Sequence, residues 1–140
     1  MKKNLLLIAS FAVLLFNSGC KNQENKNAVP SALSDSEVSV YYFHFTNRCA
    51  TCLAVEENSK KAVEELYPNE VKTGKYSFTS VNIDDKANKS LADRLGIGGQ
   101  ALVVVRNDKK IDLTSDGFLN AHDPAKLKEL LKSGVEKVLF

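Results

Sequence analysis

Val38-Ser39-Val40-Tyr41-Tyr42-Phe43-His44-Phe45 is a nearly unbroken apolar run of β-branched and aromatic residues. Such a run suits a central strand covered on both faces, because a strand with one wet face alternates polar with apolar side chains. A helical pattern follows at once. From Cys49 to Tyr67, apolar residues recur at 52, 55, 62, 63 and 66. The other face carries Glu56 with Lys60 and Glu57 with Lys61, each four residues apart in the favourable order. Thr46-Asn47 is placed to cap this helix and Pro68 to stop it. A strand feeding a helix across a short loop is the opening half of a βαβ unit.

The rest of the chain completes that unit. Tyr76 to Asp84, with Phe78, Val81 and Ile83, reads as a second strand, parallel to the first because a helix separates them. Asn88 to Leu95 predicts a short helix stopped by Gly96. Ala101 to Arg106 is a third strand. Asn107-Asp108-Lys109 turns it into a fourth, in which Ile111 and Leu113 alternate with Lys110, Asp112 and Thr114. Asp123-Pro124 is an N-cap followed by proline at the first helical position. The last helix has Leu127, Leu130, Leu131, Val135 and Val138 on its apolar face, with Gly134 as a point for a bend. The predicted order is β-α-β-α-β-β-α: an α/β domain with a four-stranded mixed sheet and helices on both faces.

The segment before this domain has a different character. Met1-Lys2-Lys3-Asn4 is a short basic start, and Leu5 to Phe16 is apolar except for Ser10. Small residues follow, the order of a secretory signal peptide over 1–19. The apolar run is shorter than the roughly 20 residues that span a bilayer. Ser18-Gly19-Cys20 resembles a bacterial lipobox, in which Cys20 is acylated and becomes the new N-terminus. Asn17 stands where that pattern prefers Leu, and plain signal-peptidase cleavage is the competing reading. Residues 20–36 are polar, hold Pro30 and several Asn, and read as a flexible tether. The folded domain is expected over 37–140. These features imply an extracytoplasmic, periplasm-facing protein held on a bacterial membrane by lipid.

Charge supports the division. The chain has 19 Lys+Arg and 17 Asp+Glu. Lys2 and Lys3 leave with the signal, so 17 basic residues remain against 17 acidic ones. A formally neutral domain with no basic stripe excludes a nucleic-acid binder. No Ser-His-Asp arrangement, phosphate loop or dinucleotide fingerprint is present.

The chemistry is expected at Cys49-Ala50-Thr51-Cys52, between a strand and a helix. Free N–H groups and the helix dipole favour a thiolate at the first Cys. The second lies about one turn on, within reach of the first sulfur. Arg48 adds a positive charge next to Cys49. Cys49 is then the attacking nucleophile and Cys52 the resolving thiol. Three other readings compete. A structural disulfide would close only a short loop, worth about 2 kcal/mol on the chain-entropy model. Half of a zinc site would need ligands from His44, His122 or Cys20. An incidental buried pair is the third. With Cys20 given to lipid, the odd count of 3 Cys needs no dimer, and the domain is expected to be monomeric. No cofactor is called for.

The strand, Cys49-x-x-Cys52, the helix, Val81-Asn82-Ile83-Asp84, and Leu91-Ala92 through Gly98-Gly99 together resemble the thioredoxin superfamily, over about 38–140. More narrowly, Tyr41 to Cys52 with the final helix resembles small bacterial thioredoxin-like lipoproteins labelled nitrophenyl compound nitroreductase subunit ArsF. That resemblance implies electron transfer or an accessory role beside a partner redox enzyme. The sequence departs from thioredoxin in four places. Ala50-Thr51 replaces Gly-Pro, and Arg48 replaces Trp. Phe43 stands where a buried Asp assists the second Cys. Ala101 stands at the cis-proline position, so the Gln100–Ala101 bond is expected to be trans, since cis costs about 2.5–4 kcal/mol without proline. Gln100 and Ala101 are expected to face the dithiol and its substrate. Losing the proline also favours a second function, soft-metal or metalloid binding by Cys49 and Cys52. His44 reads as a buried, hydrogen-bonded histidine, with proton transfer or ligation as its alternative, and His122 as exposed. Tyr41, Tyr42, Phe43 and Phe45 read as core. The expected function is thiol–disulfide exchange or electron relay with a protein partner; a fold adaptor with an inert disulfide is the plain alternative.

Overall fold

The computed structural model describes residues 37–140. The signal peptide, Cys20 and the tether all lie outside these residues. The elements are β1 (Val38–His44), α1 (Ala50–Leu66), α2 (Pro68–Lys72), β2 (Tyr76–Asn82), α3 (Lys89–Leu95), β3 (Ala101–Arg106), β4 (Lys109–Asp112), α4 (Thr114–Leu119) and α5 (Pro124–Leu139). A single 3-10 turn, Lys86–Asn88, leads into α3. The strands form one sheet in the order β2-β1-β3-β4. β1 runs parallel to β2, with Val38 opposite Tyr76 and His44 opposite Asn82. It runs antiparallel to β3, with Phe43 opposite Ala101, and β3 and β4 form an antiparallel hairpin.

Every residue of β1 is buried, Ser39 and His44 included, as its nearly unbroken apolar character suggests. Alternation along the strand divides it between two cores. Val38, Val40 and Tyr42 pack with Val55, Val63, Leu127, Leu131 and Val135 under α1 and α5. Tyr41 and Phe43 pack with Val81, Leu91, Val103 and Val105 on the α3 side. The sheet is therefore a filled layer between helices, and the central strand delivers the chain to the N-terminus of α1.

Several local expectations change. Pro68 ends α1 but also opens α2 at its first position, where its missing N–H costs nothing. β4 stops at Asp112 instead of continuing to Thr114. The Asp112 carboxylate accepts from the Thr114 N–H at 2.9 Å, and the chain turns into α4, which the alternation of Ile111 and Leu113 concealed. β2 stops at Asn82, two residues short of Asp84. Phe45 lies beyond the end of β1 and is 41% exposed, so it is not a core residue. Gly96 takes the left-handed conformation, φ 65°, that closes α3. Asp123 caps α5 as expected, its carboxylate accepting from the Lys126 N–H. Gly134 has a packing role: a β-carbon there would lie 2.7 Å from Leu113 Cδ1 and 3.2 Å from Val104 Cγ2. The sequence pairings Glu56–Lys60 and Glu57–Lys61 do not form; Lys61 pairs with Glu65 and Glu56 with Arg48.

Candidate functional site

Cys49 itself caps α1. Its backbone is extended (φ −84°, ψ 165°), and its sulfur accepts from the Cys52 N–H at 3.2 Å. This corrects the expectation that Thr46-Asn47 caps the helix. A sulfur at the N-cap receives one of the otherwise unpaired amides of the first turn, and that donor stabilises negative charge on sulfur. No acidic residue sits in the first turn to oppose it. Cys49 and Cys52 are joined by a disulfide, with Cα atoms 5.1 Å apart. The two sides of the bridge differ: Cys49 is exposed, whereas Cys52 is 2% exposed. A partner therefore reaches Cys49 first.

The loop carrying Cys49 is held by the end of β2. The Ile83 N–H donates to the His44 carbonyl at 2.8 Å, which prolongs the sheet by one bond. The Thr46 N–H donates to the Asp84 carboxylate at 2.7 Å, and the Asn82 amide donates to the Thr46 hydroxyl at 3.0 Å. Hydrogen bonds from the Thr46 N–H and hydroxyl hold the Asp84 carboxyl below its usual range. Asn82 and Asp84 thus fix the approach to the cysteines, a role that the apolar pattern of this strand did not reveal.

Gln100 reaches the bridge from the other side. Its amide N–H donates to Cys52 Sγ at 3.5 Å, and its Oε1 lies 3.8 Å from the same sulfur. Ala101, buried, begins β3 beside Phe43. The Gln100–Ala101 bond is trans, because the described residues hold no cis peptide. Gly98, Gly99 and Gln100 border a cleft of about 450 Å³ that Thr114 and Asp116 also line. A second cleft, about 350 Å³, lies against Phe45, Ile83, Ile97 and Gly98. Exposed Phe45 and Leu53 bracket the motif in the chain.

Arg48 turns toward Glu56, to which its guanidinium donates, and lies over the Tyr42 ring at 5.7 Å from the centroid. Burial pushes the Tyr42 phenol up, and the Arg48 charge opposes that rise. Tyr42, like Val38 and Val40, lies on the α1 side of the sheet. Phe43, at the position compared with a buried Asp, faces the α3 side. His44 donates from Nδ1 to the Phe45 carbonyl at 2.8 Å, since a carbonyl can only accept. Its ring stacks on Tyr42 at 6.0 Å. His122 is exposed at the start of the α5 turn.

Cys49, Cys52, Gln100 and Ala101 are therefore assembled at one end of the sheet, with Arg48 next to Cys49 in the chain and His44 closing β1. Among the described residues no group of three or more His, Cys, Asp or Glu side chains gathers to hold a metal ion. No described helix is long and apolar enough to cross a membrane.

No protein-family model matches the chain, and no curated protein matches it. Among solved structures, the chain is similar to thioredoxin f2 of Chlamydomonas reinhardtii, at 23% identity over 64% of this chain and 82% of that one, with a TM-score of 0.34. It is also similar to a malarial protein, at 18% identity over 71% of this chain and 98% of that one, with a TM-score of 0.42. By its own strand order, its parallel β1–β2 pair and its Cys-x-x-Cys at the head of the helix after the central strand, the described domain has a thioredoxin-like α/β fold.

Proposed function

We propose that this protein is a thiol–disulfide oxidoreductase or electron relay that works outside the cytoplasm from a lipid anchor at Cys20. The observation that carries the redox reading is the asymmetry of the bridge: an exposed Cys49, whose sulfur caps the helix, joined to a buried Cys52. In the reducing direction, the Cys49 thiolate attacks one sulfur of a partner disulfide. The partner's other sulfur leaves as a thiolate and takes up a proton. Cys52, giving up its proton, then attacks Cys49 in the mixed disulfide. The Cys49–Cys52 bridge forms, and the partner departs with two thiols and two electrons. The reverse sequence oxidises a partner dithiol. Exposed Phe45 and Leu53 supply apolar contact for a protein partner. The resemblance to ArsF-type lipoproteins supports a dedicated redox enzyme as that partner.

A second reading gives the same two sulfurs a soft ion, such as copper(I) or trivalent arsenic. It is favoured by Ala101 at a position where proline would crowd the dithiol. Two experiments separate the readings. The full chain is equilibrated in thiol buffers and the state of Cys49 and Cys52 is mapped by alkylation and mass. Cycling between about −120 and −300 mV supports the redox reading, and a bridge that never cycles defeats it. Anaerobic titration of the dithiol with copper(I) or arsenite supports the second reading only if binding requires both thiols.

A further inference from the structure

Glu56 reads from the sequence as one more charge on a solvated helix face. In the structure it is paired with the residue that precedes the motif. Its carboxylate accepts from Arg48, the residue immediately before Cys49, and the two side chains are only 25% and 18% exposed. Arg48 Nε is buried with no hydrogen-bond partner among the described residues. The Glu56 carboxylate is thus the anion that holds this cation in place against the Tyr42 ring.

We propose that Glu56, acting through Arg48, is a positioning residue that sets the reduction potential of the Cys49–Cys52 pair. The proposal rests on the redox reading above. Its physical basis is that the oxidised bridge is neutral, whereas the reduced form carries a thiolate at Cys49. Charges nearby therefore act on the reduced form alone. Arg48 favours that form. Glu56 cancels part of the Arg48 charge and turns the guanidinium along α1. It is also the first acidic residue after Cys49. Seven residues of helix place it about 10 Å further along the axis, close to a Debye length at physiological salt. On the loop before the motif, Asp84 is committed to Thr46. Tyr42 and His44 are the titratable groups of β1 on this side.

The test uses the full chain and the variants E56Q, R48M and the double variant, each equilibrated in glutathione buffers. Two electrons and two protons pass from two glutathione molecules to the bridge, giving one glutathione disulfide and the dithiol. E56Q is expected to shift this equilibrium toward the dithiol by about three- to tenfold, the effect of one charge at this range in a partly screened setting. R48M is expected to shift it the opposite way. The ultraviolet thiolate signal of Cys49 should titrate lower in E56Q and higher in R48M, and E56D should restore the wild-type behaviour. In the double variant the E56Q effect should shrink, because the cation it releases is gone. If the wild type exchanges but both single variants keep its equilibrium constant and differ only in melting temperature, the pair is structural and this proposal is overturned alone. A wild-type bridge that never exchanges overturns the redox reading and this proposal with it.

Discussion

The side-chain amide of Gln100 meets the sulfur of Cys52 at 3.5 Å, joining residues 48 positions apart in the chain. In the oxidised protein only the N–H can serve, because a bridged sulfur has no proton. Once the bridge opens, the same amide can donate to a Cys52 thiolate or accept from its S–H. A buried thiol thereby keeps a polar partner in both states. Replacing Gln100 with Leu removes that partner at nearly constant volume. Loss of one such hydrogen bond, about 1 kcal/mol, predicts roughly fivefold slower resolution by Cys52. The measurement is the lifetime of a mixed disulfide trapped by acid quench; an unchanged lifetime would show that Gln100 does not serve the resolving step.

Exposure of Cys49 against burial of Cys52 predicts an order of labelling. In the reduced protein, an alkylating agent should modify Cys49 well before Cys52, as read by peptide mass over time. Cys49→Ser should abolish exchange, and Cys52→Ser should accumulate the partner-linked species. Equal labelling rates would contradict the proposed division of roles. If the bridge is only a staple, the double Ser variant loses about 2 kcal/mol of stability on the chain-entropy model and nothing else.

Asp84 makes the loop before Cys49 sensitive to acid. Its carboxyl is held below the usual range by the Thr46 N–H and hydroxyl. A depressed folded-state pKa contributes stability that is present above the unfolded value and lost as pH falls through the folded one. The melting-temperature gap between wild type and Asp84→Ala should therefore be open at neutral pH. It should close progressively below the ordinary carboxylate range. A gap that persists unchanged into strong acid would assign the effect to shape instead of charge.

Gly134 lies where α5 packs tightly on Leu113 and on Val104 of β3. A methyl group there meets Leu113 and Val104 inside the core. Overpacking costs about 1–3 kcal/mol, and the better helix propensity of Ala returns at most about 1 kcal/mol. Gly134→Ala is expected to destabilise the fold by roughly 1 kcal/mol in urea unfolding. A stabilised variant would mean that Leu113 moves aside freely.

Phe43 and Tyr42 show how far the sequence could be read. The unbroken run from Val38 announced a strand buried on both faces, and Pro, Gly and Asp at element ends announced most boundaries. Those signals are local, written in neighbouring residues. Which face each side chain takes was not. Comparison by position placed Phe43 at the dithiol, yet the pleat turns it to the α3 side and gives Tyr42 to α1. Thr114 and Leu113 misled in a similar way, because alternation over a few residues fits a strand end and a helix start alike.

The sequence by itself determined that a Cys-x-x-Cys follows a central strand and heads a helix, which sets the first cysteine among free helix amides. It also determined the layers of the fold, since apolar periodicity dictates what must be buried. Only the tertiary structure decided the partners of that thiol: Gln100 on Cys52, Glu56 on Arg48, and Asp84 and Asn82 on the loop at Thr46. Each of these contacts is a directional bond between polar groups from different turns or different elements. Hydrophobic periodicity carries no information about such bonds; strand register and helix rotation do.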